Sequence, residues 1–197
     1  MYISEKETEY GVPYGSCAVV ADIDYINSDS YARKCANITG NPAVNATLLE
    51  CSRKAIIHRS GTLYEDMYLI NGNTGAILGK QTESECTQGI IYNDEIINAL
   101  YMSKANNIPV IALHTHPEGF PPSAEDFNKA FENQYMLGVA SGHNGQIYTY
   151  KNSHIYIEDI DTLQMIIANA YNGGVDVDRA HREAYKFYGL DYTVVKE

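Results

Sequence analysis

A chain of 197 residues with 45% hydrophobic and 20% charged side chains has enough apolar material for one packed domain with decorations, and that excludes global disorder. Fourteen Lys and Arg stand against 25 Asp and Glu, a formal net charge of −11 with no long basic run, which argues against a non-specific binder of nucleic acid or of an anionic membrane. No apolar run approaches the roughly 20 residues that cross a bilayer, and the acidic, polar opening MYISEKETEYG does not read as a signal peptide.

In chain order, residues 1–27 read as extended or loop-like around the apolar piece CAVVADIDYI. SDSYARKCANI reads as a short helix with Ser28 at its N-cap. ITGNPAVNATLLECSRKAIIHRSG is a stronger helix: Asn41 caps, Pro42 fits the first turn and Gly61 follows the end. Val44, Leu48, Cys51 and Ala55 fall on one of its faces. LYEDMYLINGNTGAIL reads as a β-hairpin turning at NGNTG, with Glu65, Met67 and Leu69 on one face and Tyr64, Asp66, Tyr68 and Ile70 on the other. NDEIINALYMSKANN is a helix capped by Asn93, with Ile96, Ile97 and Leu100 inward, and IPVIALHTH is an apolar strand opened by a proline.

Ser123 caps a helix that runs to about Tyr135. YMLGVASG and QIYTYKN form a second hairpin across HNG, and HIYIED extends it as a further strand. Residues 161–197 read as two helices and a short final strand, DYTVV. Helices, hairpin, helix, strand, helix, hairpin, helices is the order of an α/β or α+β sandwich rather than of a regular βαβ alternation.

The chemistry concentrates in HTHPEGFPPSAED. Side chains alternate along a strand, so His114 and His116 share a face while Thr115 points away. Two imidazoles so placed at a strand end can bind one divalent ion, and a hydrolytic zinc site takes three protein ligands and leaves a fourth position to water. Asp126, in the first turn of the helix capped by Ser123, is read as the third ligand. The stiff, proline-rich loop PEGFPP lets the chain double back to deliver it. Each residue alone also has an ordinary role: strand-end histidines are commonly polar surface or core residues, and Ser123 and Asp126 suit a helix N-terminus.

This segment resembles the H-x-H-P…S-x-x-D signature of the JAMM metallopeptidases, the JAB/MPN+ domain. The usual pattern places seven residues between the second His and the Ser, whereas residues 117–122 make six here. The resemblance implies an α/β fold of JAB1/MPN type, similar in outline to cytidine deaminases, with a curved mixed sheet flanked by helices. It implies Zn2+ held by His114, His116 and Asp126, a bound water as nucleophile, and Ser123 helping to hold the tetrahedral intermediate. It also requires an upstream glutamate as general acid/base, and Glu65 is the best match because its face of the hairpin is otherwise apolar. Asp66 is the alternative if the strand slips by one residue; Glu83 and Glu85, in a polar loop, are weaker.

The resemblance is specific over residues 61–157, the expected catalytic core. Residues 1–60 are then an N-terminal segment and helices packing on it, and residues 158–197 a C-terminal helical extension of the same domain. More loosely, ITGN, HRSGTLYED and LGVASGHNGQIYTY resemble a bacterial branch of these domains that occurs with phage head-morphogenesis proteins. The implied function is hydrolysis of a peptide or isopeptide bond in a protein or peptide substrate, with no nucleic-acid or membrane partner. A non-catalytic MPN-like binding module is the main alternative, and a DNA-associated metal-dependent protein a further one that the charge disfavours.

The other candidates have plainer readings. His143, in the Asn-Gly turn, is expected to be solvent-exposed, and His58 to cap a helix C-terminus. His154 and His181 stand apart from the motif. Cys17, Cys35, Cys51 and Cys86 form no C-x-x-C pair, so they read as free thiols of a reducing, cytoplasmic setting rather than as a zinc knuckle. The tyrosines of IYTYKNSHIYI read as sheet packing.

Overall fold

IPVIALHTH supplies the central strand around which the rest of the chain is arranged. The computed structural model describes residues 18–87 and 89–197. Three helices come first, α1 (Ile23–Asn27), α2 (Asp29–Ala36) and α3 (Pro42–Arg59), then the hairpin β1 (Met67–Asn71) and β2 (Ile77–Gln81). Helix α4 (Asp94–Ala105), strand β3 (Val110–His116), helix α5 (Ala124–Asn133) and the hairpin β4 (Leu137–Gly142) and β5 (Ile147–Tyr150) follow. Helices α6 (Ile160–Asn172) and α7 (Val177–Lys186) and strand β6 (Tyr192–Val194) close the chain. The strands form one mixed sheet in the order β2-β1-β3-β4-β5-β6, in which only β3 and β4 run parallel, joined through α5. The result is the expected α/β architecture, a curved mixed sheet flanked by helices.

Every residue of β3 is buried because the strand has neighbours on both sides and helices on both faces, the setting that favours a continuous apolar run. Val110 and Ala112 pack with α4, α5, α6 and α7 through Ile96, Phe127, Leu163 and Tyr185. Ile111 and Leu113 face the opposite layer, α1 to α3, through Ile26, Tyr31, Leu48 and Ile56. The apolar stripe expected on α3 is in place, with Val44, Leu48, Cys51 and Ala55 all buried. The caps at Ser28, Asn41, Asn93 and Ser123 all accept backbone N–H groups as their sequences require.

Several expectations are corrected. Residues 23–27 are helical rather than extended, because Asp22 caps them by accepting the N–H of Tyr25; Cys17 and the rest of the opening segment lie outside the described residues. Ile97 is 52% exposed; Ile96, Ala99 and Ser103 take the inward face of α4, and a helix places Ile97 about 100° from Ile96. HIYIED is not a strand. Two asparagines take over its backbone groups instead: Asn128 both donates to Ile157 O and accepts from Ile157 N (2.8 Å each), and Asn152 does the same for Ile155. His58 lies inside α3 and pairs its Nδ1 with Asp66 Oδ2 at 2.8 Å rather than capping a carbonyl.

His181 on α7 is buried, with Nδ1 2.7 Å from Val177 O. Burial, only partly offset by that carbonyl, lowers its pKa from 6.5 to about 4. Between those values the unfolded chain holds a proton at this residue and the folded chain does not. Its contribution is therefore fully present above pH 6.5 and is lost as pH falls toward 4, by about 3 kcal/mol. His181→Phe should flatten this part of the profile of urea midpoint against pH; an unchanged slope would mean that the imidazole titrates as it does in water.

Candidate metal centre

The site is built at the end of β3, on the face shared with α5. Met67 on β1 and Ala140 on β4 are the lateral partners of His114, so apolar side chains flank the first imidazole. His116 is paired with Gly142, which has no side chain to compete for the space beside it. Both histidines are buried.

The six-residue loop after His116 is fixed through its carbonyls, each held by a different part of the molecule. Pro117 O accepts the N–H of Val19 (2.8 Å), and Gly119 O accepts the hydroxyl of Tyr148 (3.1 Å) and the amide of Asn144 (3.2 Å). Phe120 O lies 2.8 Å from His116 Nδ1, and Pro122 O accepts the hydroxyl of Tyr185 at 2.7 Å. Gly119 makes the reversal at φ +73°, where a side chain would be strained and would also run into Asn144.

The loop delivers Ser123 as the N-cap of α5. Ser123 Oγ accepts the N–H of Asp126 (3.1 Å) and the Ser123 N–H donates to Asp126 Oδ2 (2.7 Å), a complete capping box. The ordinary role foreseen for Ser123 is thus present. It uses the hydroxyl as an acceptor, which leaves the O–H able to donate. Asp126 is more than a cap: Oδ1 lies 3.0 Å from His114 Nε2 and Oδ2 3.2 Å from His116 Nε2. The two Nε2 atoms are 2.9 Å apart.

His114, His116 and Asp126 therefore form a cluster that can coordinate a metal ion, with ligand atoms all within 4.8 Å of one another. The contacts of 2.9, 3.0 and 3.2 Å, the last two made by different oxygens of Asp126, lie a little under the roughly 3.3 Å edge of a tetrahedron with metal–ligand bonds of about 2.0–2.1 Å. Two imidazole nitrogens and one carboxylate oxygen suit a divalent first-row ion. The contact of His116 Nδ1 with Phe120 O places the proton on that nitrogen and turns Nε2 to the cluster, the usual outer support of a ligating histidine. The electrostatics agree that this point calls for positive charge. Burial alone would depress the pKa of His116, yet the hydrogen bond and charge of Asp126 and the charge of Glu65 raise it to about 10. Burial alone would raise the pKa of Asp126, but the two histidines hold its carboxyl well below the ordinary range.

Glu65 lies two residues before β1. Extending the register that sets Met67 opposite His114 back by two residues brings Glu65 level with His116, and the charges of both histidines act on its carboxyl. The ladder continues past the strand: Thr115 N–H donates to Asp66 O (3.1 Å) and Asp66 N–H to Thr115 Oγ1 (3.0 Å). Burial pushes the carboxyl of Glu65 up to about 7 against the pull of His116 and His114. Asp66 points the other way. Its carboxylate is 1% exposed and takes Arg59 Nε at 2.6 Å and His58 Nδ1 at 2.8 Å, while Arg59 also donates to Thr82 O and Ser84 O. Glu83 and Glu85 stay in the loop after β2.

His143 is not solvent-exposed but fully buried. The turn folds back behind the site, so the N–H of His143 donates to His116 O (3.1 Å) and Nδ1 faces Val19 O (3.2 Å). Three neighbours of the cluster were not anticipated from sequence. Tyr150 sets its ring edge-on to His114 with centroids 6.3 Å apart and lies across Gly138, where a Cβ would overlap it. Phe120 acts through its carbonyl and Tyr185 through its hydroxyl. A tyrosine in a strand or helix carries no local mark of such contacts.

No family model, no curated protein and no solved structure matches the chain.

Proposed function

We propose that the chain is a zinc metallopeptidase of the JAMM, or JAB/MPN+, type, hydrolysing a peptide or isopeptide bond in a protein or peptide substrate. The observation that carries this reading is the convergence of His114, His116 and Asp126, delivered by one strand–loop–helix unit, and the Glu65 carboxyl close enough to feel the charges of both histidines supports it. When bound, a zinc ion supplies Lewis-acid polarisation and makes a coordinated water acidic near neutral pH. Glu65 takes the proton from the attacking water and passes it to the departing amine nitrogen as the C–N bond breaks. A carboxyl raised by burial to about 7 both accepts and returns a proton. Ser123 donates its O–H to the oxygen that gains charge. His116, oriented through Phe120 O, and Asp126, oriented through Ser123 N–H, keep their ligating atoms on the centre.

A non-catalytic binding module needs no such set of two buried histidines and a partly buried aspartate with a carboxyl beside it, so the enzyme reading is preferred. Among the described residues no helix is long and apolar enough to cross a membrane. Cys35, Cys51 and Cys86 are free, which suits the cytoplasmic setting of this reading. The purified protein should carry close to one zinc per chain. Chelation should abolish hydrolysis, zinc should restore it, and His114→Ala and His116→Ala should each lower the zinc content. Zinc content unchanged in both variants would sink the ligand assignment.

A further inference from the structure

One peptide group in the loop is gripped at both of its polar ends. The carbonyl of Pro122 accepts the hydroxyl of Tyr185 at 2.7 Å, and the N–H on the other side of that peptide bond, Ser123 N–H, donates to Asp126 Oδ2 at 2.7 Å. A planar trans peptide points its C=O and N–H in opposite directions, so aiming the carbonyl aims the N–H. Donation into the carbonyl also polarises the amide and strengthens the N–H as a donor. Tyr185 has little freedom of its own. It is 1% exposed, and its ring packs edge-on against Phe127 (4.9 Å) and Tyr192 (6.4 Å).

We propose that Tyr185 is a positioning residue of the metal centre, orienting the Pro122–Ser123 peptide so that its N–H holds the Asp126 carboxylate in the ligating rotamer. Tyr185 sits on α7, far outside residues 61–157 that carry the motif, so the C-terminal helices serve the site as well as covering the sheet. The inference rests on metal binding by His114, His116 and Asp126, and goes beyond it by assigning a role to a residue outside that ligand set.

The test compares two full-length variants in the metal-free form, titrated with zinc against a chromophoric chelator. Tyr185→Phe keeps the ring and removes only the oxygen, and it should weaken zinc binding about tenfold or more. Tyr192→Phe loses hydroxyl contacts to Asp178 on the same helix without touching the loop, and it should bind within about twofold of the parent protein. Substituting cobalt(II) should give a visible spectrum altered in Tyr185→Phe and unaltered in Tyr192→Phe. Wild-type affinity in Tyr185→Phe, or equal weakening in both variants, overturns the assignment, the second because it marks a general loosening. If Tyr185→Phe folds only with zinc present, the rate of zinc loss to the chelator replaces the titration. It should then be about tenfold faster than in Tyr192→Phe, and equal rates overturn the proposal. An absence of zinc binding by the parent protein defeats both this inference and the metallopeptidase reading, whereas tight binding by parent and Tyr185→Phe alike defeats this inference alone.

Discussion

Glu65→Gln retains zinc at the level of the parent protein and loses hydrolysis, by roughly a hundredfold to ten-thousandfold, the range that a positioned general base contributes. The side chain keeps its size and shape, so the three ligands and the loop are undisturbed. What is lost is the ability to take a proton from water and return it to the amine. Measurement of turnover and of zinc content on the same preparation separates this from a loss of metal. Persistent activity in Glu65→Gln, together with loss of activity in Asp66→Asn at a temperature where that variant is folded, would mean that the segment before β1 is shifted by one residue.

Asp66→Ala has its large effect on stability rather than on chemistry. Asp66 is the counterion of Arg59, which is 7% exposed, lies over the Tyr64 ring and, among the described residues, otherwise donates to the carbonyls of Thr82 and Ser84. Removing the carboxylate leaves a buried guanidinium with no negative partner, a change that costs about 3–5 kcal/mol. A urea melt should show the midpoint falling accordingly with the slope unchanged. A loss under about 1 kcal/mol would show that the pair is solvated and contributes as little as a surface ion pair. The backbone N–H and C=O of Asp66, which bond Thr115, are kept in this variant, so activity at temperatures well below its melting point should change little.

The two carboxylates are adjacent in sequence and opposite in role, and the strand decides which is which. Alternation sends Glu65 to the face of Met67 and Leu69 and Asp66 to the face of Tyr68. The sequence foresaw that split but not its consequence, because Arg59 is recognisable as the partner of Asp66 only once α3 is packed on the sheet. The same holds for the loop after His116. It is one residue shorter than the motif it resembles, yet it closes the capping box and keeps Asp126 against both imidazoles.

Local rules alone determined a good deal about this chain. The two-residue period of a strand puts His114 and His116 on one face, and the S-x-x-D spacing puts a serine at a helix N-cap and an aspartate in its first turn. A caps-and-turns reading placed α2, α3, α4, α5 and both hairpins near their positions. These features depend on residues no more than four apart, and a sequence displays them directly. Tertiary structure decided the rest: that Asn128 and Asn152 hold HIYIED as a loop instead of a strand, that His143 is buried behind His116, that Asp66 belongs to Arg59, and that Pro122 O meets Tyr185 from 63 residues away. Each of these is a buried polar group whose partner is chosen by packing, and the requirement that such groups be paired does not say by which distant residue.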